Sequence, residues 1–115
     1  MSAKKAQNND HAPLTPAVFH ILLALADGKL HGYAIMRAVE NATSSAMKMG
    51  PGTIYGSLQR MEDAGLVEEC GSVANGKRRL YGMTRLGRKT LVAESARLAR
   101  LAEMARAKGL VPREI

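Results

Sequence analysis

The stretch GPGTIYGSLQRMEDAGLV, residues 50–67, carries a helical pattern whose front end is poor in helix formers. Ile54, Leu58, Met61 and Gly65 recur at the spacing of one helix face, and Leu66 and Val67 continue the apolar run past its end. The opposite face carries Gly52, Gly56, Gln59 and Asp63, flanked by Tyr55 and Arg60. A glycine inside a helix costs about 1 kcal/mol relative to alanine, so two on one polar face call for a reason. One reason is close approach to another surface, which a missing Cβ permits. The plain alternative, that Gly56 is merely a weak helix residue and Tyr55 packs inward, stays open on the residues alone.

Working outward, LTPAVFHILLALADG (14–28) has Thr15 as N-cap and Pro16 at the first helical position. Val18, Phe19, Ile21, Leu22, Leu23 and Leu25 predict a largely buried helix, ended by Gly28. HGYAIMRAVENAT (31–43) predicts a second helix with Tyr33, Met36 and Val39 on its apolar side, flanked by Ile35. Pro51 and its glycines then break the pattern, and the third helix is expected from Thr53 to Ala64, stopping at Gly65.

Beyond it the period changes. Leu66–Ser72 and Lys77–Met83 read as two short strands joined through Asn75-Gly76, a strong hairpin signal. Thr84 can cap a last helix over Arg85–Lys108, closed by Gly109 and Pro112. The fold class is therefore mainly α (α+β). Three helices followed by a hairpin make a winged helix-turn-helix, in which the third helix enters the DNA major groove and the wing meets the backbone or minor groove. On that fold Gly52, Thr53, Tyr55, Gly56, Gln59 and Arg60 form the reading face, with the free N–H groups of the first turn donating to a phosphate. A glutamine such as Gln59 pairs bidentately with adenine.

The charge agrees with a polyanionic partner. The net charge is +7, and residues 1–71 hold six Lys/Arg and seven Asp/Glu against eleven and three in residues 72–115. Lys77, Arg78, Arg79, Arg85, Arg88 and Lys89 fall together with no acid among them. Such a cluster attracts polyanions through its field and through counterion release; a solvated face that binds nothing is the bland reading. A protein-interaction module and a non-specific nucleic-acid binder remain as alternatives.

Other classes find little support. No apolar run approaches the roughly 18–20 residues that span a bilayer, so no membrane association and a cytoplasmic location are expected. Cys70 is the only cysteine, and a small packed residue is its ordinary role beside that of a redox sensor. His11, His20 and His31 lack ligand spacing, so no metal or cofactor is expected. No nucleophilic triad or phosphate-cradling loop suggests an enzyme.

HGYAIMRAV (31–39), GPGTIYGSLQRMEDAGLV (50–67) and GKRRLYGMTRLGRKTL (76–91) together resemble the PadR family of bacterial transcription regulators. The resemblance spans about Leu14 to Leu91. It implies a homodimeric winged helix that represses an operator, often of detoxification or efflux genes. It further implies that Tyr55 and its neighbours read double-stranded DNA, that Lys77, Arg78 and Arg79 touch phosphates, and that Thr84 and Gly87 are structural. The family commonly has proline after the motif tyrosine, where this chain has Gly56. The chain also lacks tryptophan, which separates it from members that trap flat aromatic drugs between tryptophans.

The expected organisation is a disordered arm over 1–13, a winged helix over 14–84, a dimerisation helix over 85–109 and a flexible tail over 110–115. Along the last helix Leu91, Leu98, Leu101, Ala102 and Ala105 form one stripe, interrupted by Glu94 and Ser95. Pairing through that stripe would make a two-fold homodimer and a palindromic operator. A cavity between the tails and the first helices is the expected place for a hydrophobic small-molecule effector.

Overall fold

The computed structural model describes residues 13–73, Gly76 and 78–112. Residues 1–12 of the expected arm, Asn75 of the hairpin turn, Lys77 and the last three residues of the expected tail lie outside the described residues. The elements are α1 (Pro16–Ala24), a 3-10 turn (Leu25–Asp27), β1 (Leu30–His31), α2 (Gly32–Ala42), α3 (Pro51–Asp63), β2 (Val67–Val73), β3 (Arg78–Met83) and α4 (Arg85–Ala107). This is the winged-helix order, with one strand that the sequence pattern does not reveal. The sheet is antiparallel in the order β1-β3-β2, with Leu30 opposite Tyr81 and His31 opposite Leu80. Two residues are too few to display a period of two; β1 exists because the outer edge of β3 offers it a ladder.

Several expectations shift. Helix α3 begins at Pro51, not Thr53, because proline suits the first helical position, where no N–H is needed. Helix α1 gives way at Leu25 to the 3-10 turn, and Leu23 is exposed. Tyr33 does not join the apolar side of α2; it is 52% exposed, while Gly32, Ile35 and Val39 are buried. The turn between α2 and α3 takes Ser44 and Ser45 through left-handed φ values of 52° and 68°, a conformation uncommon for residues other than glycine.

The chain divides into a compact unit over Leu14–Leu91 and a second that takes in Val92 onward. The core of the first unit gathers Ile21 and Leu22 from α1, Ile35 and Val39 from α2, Ile54, Leu58 and Met61 from α3, Val67 and Tyr81 from the sheet, and Leu91 from α4. In the second unit, α4 carries Glu94, buried and held by Arg97 through two hydrogen bonds of 2.9 and 2.7 Å. Its end is a Schellman turn, with the N–H groups of Gly109 and Leu110 donating to the carbonyls of Arg106 and Ala105.

The wing is closed at its base by one junction. Helix α3 ends as the sequence predicts at Gly65 (φ 80°), where Gly65 N–H donates to Glu62 and Leu66 N–H to Met61. After the hairpin the chain returns to the same place: Thr84 N–H donates to the Leu66 carbonyl at 3.1 Å and Thr84 Oγ1 to the Gly65 carbonyl at 2.6 Å. Thr84 Oγ1 also accepts from Gly87 N–H at 2.9 Å, capping α4. A Cβ on Gly87 would stand 3.1 Å from the Leu66 carbonyl carbon, closer still to its oxygen, and 2.9 Å from Met83 Cγ. The packing therefore demands glycine there. We expect Gly87→Ala to cost about 1–3 kcal/mol by overpacking and Thr84→Ala about 0.5–2 kcal/mol through the lost cap. Urea unfolding should show a lower midpoint at unchanged slope; a Gly87→Ala chain as stable as the parent contradicts this close approach.

Candidate nucleic-acid interface

The polar side of α3 is exposed as expected. Its buried side is Ile54, Ser57, Leu58 and Met61, while Gly52, Thr53, Gln59 and Arg60 are exposed and Gly56 is half-buried. No side chain caps the first turn of α3, Pro51 has no N–H and Ile54 N–H donates to the Gly50 carbonyl, which leaves the N–H groups of Gly52 and Thr53 to meet an anion. A Cβ added at Gly52 would touch nothing within 4 Å, and one at Gly56 would meet only Arg60 Nη1 at an ordinary 3.6 Å. Nothing among the described residues requires glycine at either position.

Two side chains on this face are already oriented by neighbours. Gln59 Nε2 donates to Asp63 Oδ1 at 3.1 Å, which fixes the sense of the amide and leaves its carbonyl oxygen and second N–H available. Arg60 Nη2 donates to Ser57 Oγ at 3.3 Å, so the guanidinium lies back along the helix beside Gly56.

Tyr55 is neither wholly outward nor wholly packed. It is 44% exposed, yet a Cβ on Gly32 would stand 2.6 Å from its Cζ and 2.8 Å from its Cε1. The ring therefore lies on the first residue of α2, with its hydroxyl end over that backbone. Beneath this region Tyr81 is buried, and burial pushes its phenol above the ordinary value of 10, with Arg79 pulling the other way.

On the wing, Arg78 and Arg79 are exposed and sit on β3. Arg79 is within 3.6 Å of Glu69 across the hairpin, a surface pair of small energetic weight. The β2–β3 register shifts between Glu69 and Ser72, where Gly71 takes a φ of 100°; this bulge twists the wing at its middle. Cys70 lies at the bulge, with Sγ 2.9 Å from where a Gly82 Cβ would be. With Lys29 and Glu68 it borders an open cavity of about 300 Å³.

Sequence reasoning missed His31. Its Nδ1 accepts from Ala34 N–H at 3.2 Å, capping α2, and its Nε2 lies 3.3 Å from Arg78 Nη1. Histidine is not among the usual cap residues, and its link to Arg78 follows from the β1–β3 pairing, which the pattern did not show. Tyr33 was also misplaced: it stands outside with Arg37, whose Nη1 donates to its hydroxyl at 3.3 Å and whose Cζ lies 5.8 Å from the ring centroid.

The stripe assigned to dimerisation divides. Leu91 is only 6% exposed and belongs to the core of a single chain, so it is not available to the stripe expected to pair two chains. Leu98, Leu101 and Ala102 are exposed and Ala105 is half-buried. No helix among the described residues is long and apolar enough to cross a membrane, and no group of three metal-binding side chains occurs among them.

Comparison with known proteins decides the family. The model of the transcriptional regulator PadR-like family matches residues 21–93. This chain belongs to that family. The PadR-like chain is 33% identical over 84 residues to the transcriptional regulator Rv3488 of Mycobacterium tuberculosis, covering 72% of this chain and 76% of that protein. It is also 43% identical over 81 residues to an uncharacterised 37.1 kDa protein of a Streptomyces fradiae transposon, covering 70% of this chain but only 22% of that protein. Among solved structures, a PadR family transcription regulator of Clostridium difficile superposes with a TM-score of 0.69 at 22% identity, over 81% of this chain and 97% of that one. Bacillus subtilis PadR in complex with operator DNA superposes with a TM-score of 0.57 at 24% identity, over 64% and 43%. These similarities support the winged-helix architecture.

The Tyr55–Gly32 contact is testable without any ligand. Gly32→Ala should destabilise the parent by about 1–3 kcal/mol and be nearly neutral in a Tyr55→Ala background. A double-mutant cycle in urea isolates the coupling; additive losses would mean that the ring does not rest on Gly32.

Proposed function

We propose that this PadR-like chain is a sequence-specific DNA-binding repressor that acts as a homodimer on a palindromic operator and is released by a hydrophobic small-molecule effector. The observation that carries the DNA-binding part is the polar face of α3. It holds two glycines that nothing among the described residues requires, of which Gly56, inside the helix, forgoes about 1 kcal/mol of helix stability, beside exposed tyrosine, glutamine and arginine. A duplex pressed against that face explains the small residues. The solved complex of Bacillus subtilis PadR with operator DNA supports the reading by analogy.

In this reading Gly52 and Gly56 admit the backbone of α3 to the groove, and Thr53 with the first-turn N–H groups meets a phosphate. Gln59, held in one sense by Asp63, offers its amide to adenine. Tyr55 braces α3 on α2 and presents its ring edge, and Arg60 swings from Ser57 to the DNA. Lys77, Arg78 and Arg79 of the wing supply affinity that does not depend on sequence.

Selection of bound duplexes from a random pool, followed by gel shift against competitor DNA, tests the function directly. A specific regulator prefers its selected site by about 10³-fold or more. A chain that binds all duplexes alike is a non-specific binder, and one that binds none is an interaction module. Tyr55→Ala and Gln59→Ala should each cost roughly 1–3 kcal/mol on the selected site and little on random DNA. Replacing Lys77, Arg78 and Arg79 by alanine should weaken all binding and lower the salt slope by about 0.9 per lost phosphate contact.

Assembly rests on the exposed Leu98, Leu101 and Ala102 of α4. Packing against the same helix of a second chain covers them and sets two reading helices about one DNA turn apart, which makes the operator palindromic. Light scattering should give a dimer for the parent at micromolar concentration and a monomer for the Leu98→Glu, Leu101→Glu double variant. A double variant that stays dimeric removes this helix from the interface.

A further inference from the structure

The ring of His31 stands between the start of α2 and the wing, and its two nitrogens have incompatible neighbours. Nδ1 accepts from Ala34 N–H at 3.2 Å. A neutral imidazole that accepts at Nδ1 carries its proton on Nε2. In that tautomer Nε2 is a donor 3.3 Å from Arg78 Nη1, which is always a donor. Two N–H groups thus converge at hydrogen-bonding distance, and neither can accept from the other. Among the described residues, no ion pair ties a carboxylate to Arg78; of the two acids on the neighbouring strand, Glu68 and Glu69, the latter is paired with Arg79. One acceptor oxygen placed between them could take both hydrogens.

We propose that His31 and Arg78 together hold one phosphate of the duplex backbone, Nε2–H and Nη1–H donating to the same phosphate group. The inference rests on the DNA-binding reading above and adds a contact from the start of α2 to those of α3 and the wing. The start of α2 is also the positive end of its dipole, which favours an anion. The register His31 opposite Leu80 places the ring alongside β3, so the cap of one helix and the wing strand present a single anion clamp. Arg78 is exposed and His31 half-buried, leaving the outer side of the pair open.

The decisive variant is His31→Asn, because asparagine is a good N-cap but has no donor that reaches the Nε2 position. With the full chain, His31→Asn should leave the melting temperature unchanged and weaken binding to the selected site and to random duplex by the same factor, about 10-fold for a hydrogen bond to a charged group. Combined with Arg78→Ala, the loss should be smaller than the product of the single losses, since both groups serve one phosphate. Long-range proton–nitrogen NMR of the free protein should find the proton of His31 on Nε2. Inorganic phosphate alone at low millimolar concentration should leave the His31 signals in place.

A parent chain that binds no duplex overturns the DNA-binding reading, and this inference with it. Duplex binding by the parent that His31→Asn leaves unchanged, or that it weakens only on the selected site, overturns the inference alone. So does a proton found on Nδ1, since Arg78 then simply donates to Nε2. Losses that multiply with those of Arg78→Ala, or saturation of the pair by free phosphate, overturn it equally.

Discussion

Two consecutive carbonyls, those of Gly65 and Leu66, hold the winged helix together. They lie just past the end of α3, and Thr84 returns to both of them after the whole hairpin has been traversed. Gly87 then lets the first turn of α4 settle onto the Leu66 peptide with no side chain between them. The junction ties three elements at one point: the end of α3, both ends of the wing and the start of α4. Backbone and hydroxyl hydrogen bonds make the tie, so its geometry is set by short, directional contacts more than by the shape of a packed side chain. A wing fastened at its base in this way cannot slide in register without breaking the cap of α4.

A second constraint operates at the other end of α3. Gly32 begins α2 beneath the ring of Tyr55, and the same ring projects from the second turn of α3. The relative setting of α2 and α3 is thus fixed by an aromatic ring lying on bare backbone, a contact that only glycine permits. The turn between these helices holds Ser44 and Ser45 in left-handed conformations, which cost of order 1–3 kcal/mol each. The packing of Ile35, Val39, Ile54 and Leu58 in one core offsets that cost. Apart from the glycines with left-handed φ, such as Gly65 and Gly71, two kinds stand out. Gly32, Gly82 and Gly87 are demanded by neighbours inside the molecule, whereas Gly52 and Gly56 are not.

Much of the architecture is legible in the residues because its elements are long enough to show a period. Helix α3, its stop at Gly65, the hairpin and the capping role of Thr84 all follow from spacing and turn chemistry. What escaped depended on partners distant in sequence. Strand β1 has two residues, and its existence is decided by the free edge of β3, some fifty positions later. The ring of Tyr55 rests on Gly32, which no local pattern announces. Leu91 shares helical phase with Leu98, but phase alone does not say which chain covers it; the core of its own chain does. His31 was overlooked because its cap and its wing contact each use one nitrogen of a residue type that sequence rules associate with metals and proton transfer. The exposed polar face of α3 was easier to anticipate, because the glycines break the rules of a good helix where nothing local needs them.

The open flank of α3 has a consequence for how such a protein can be improved or can drift. Alanine at Gly52 or Gly56 meets no obstacle within the chain and gains helix propensity of up to about 1 kcal/mol at each site. Any screen that rewards heat resistance alone therefore leads toward methyl groups on the flank that we propose meets the groove. On the proposed reading the two glycines set endurance against recognition, and a hardier descendant of this chain would grip its target less closely.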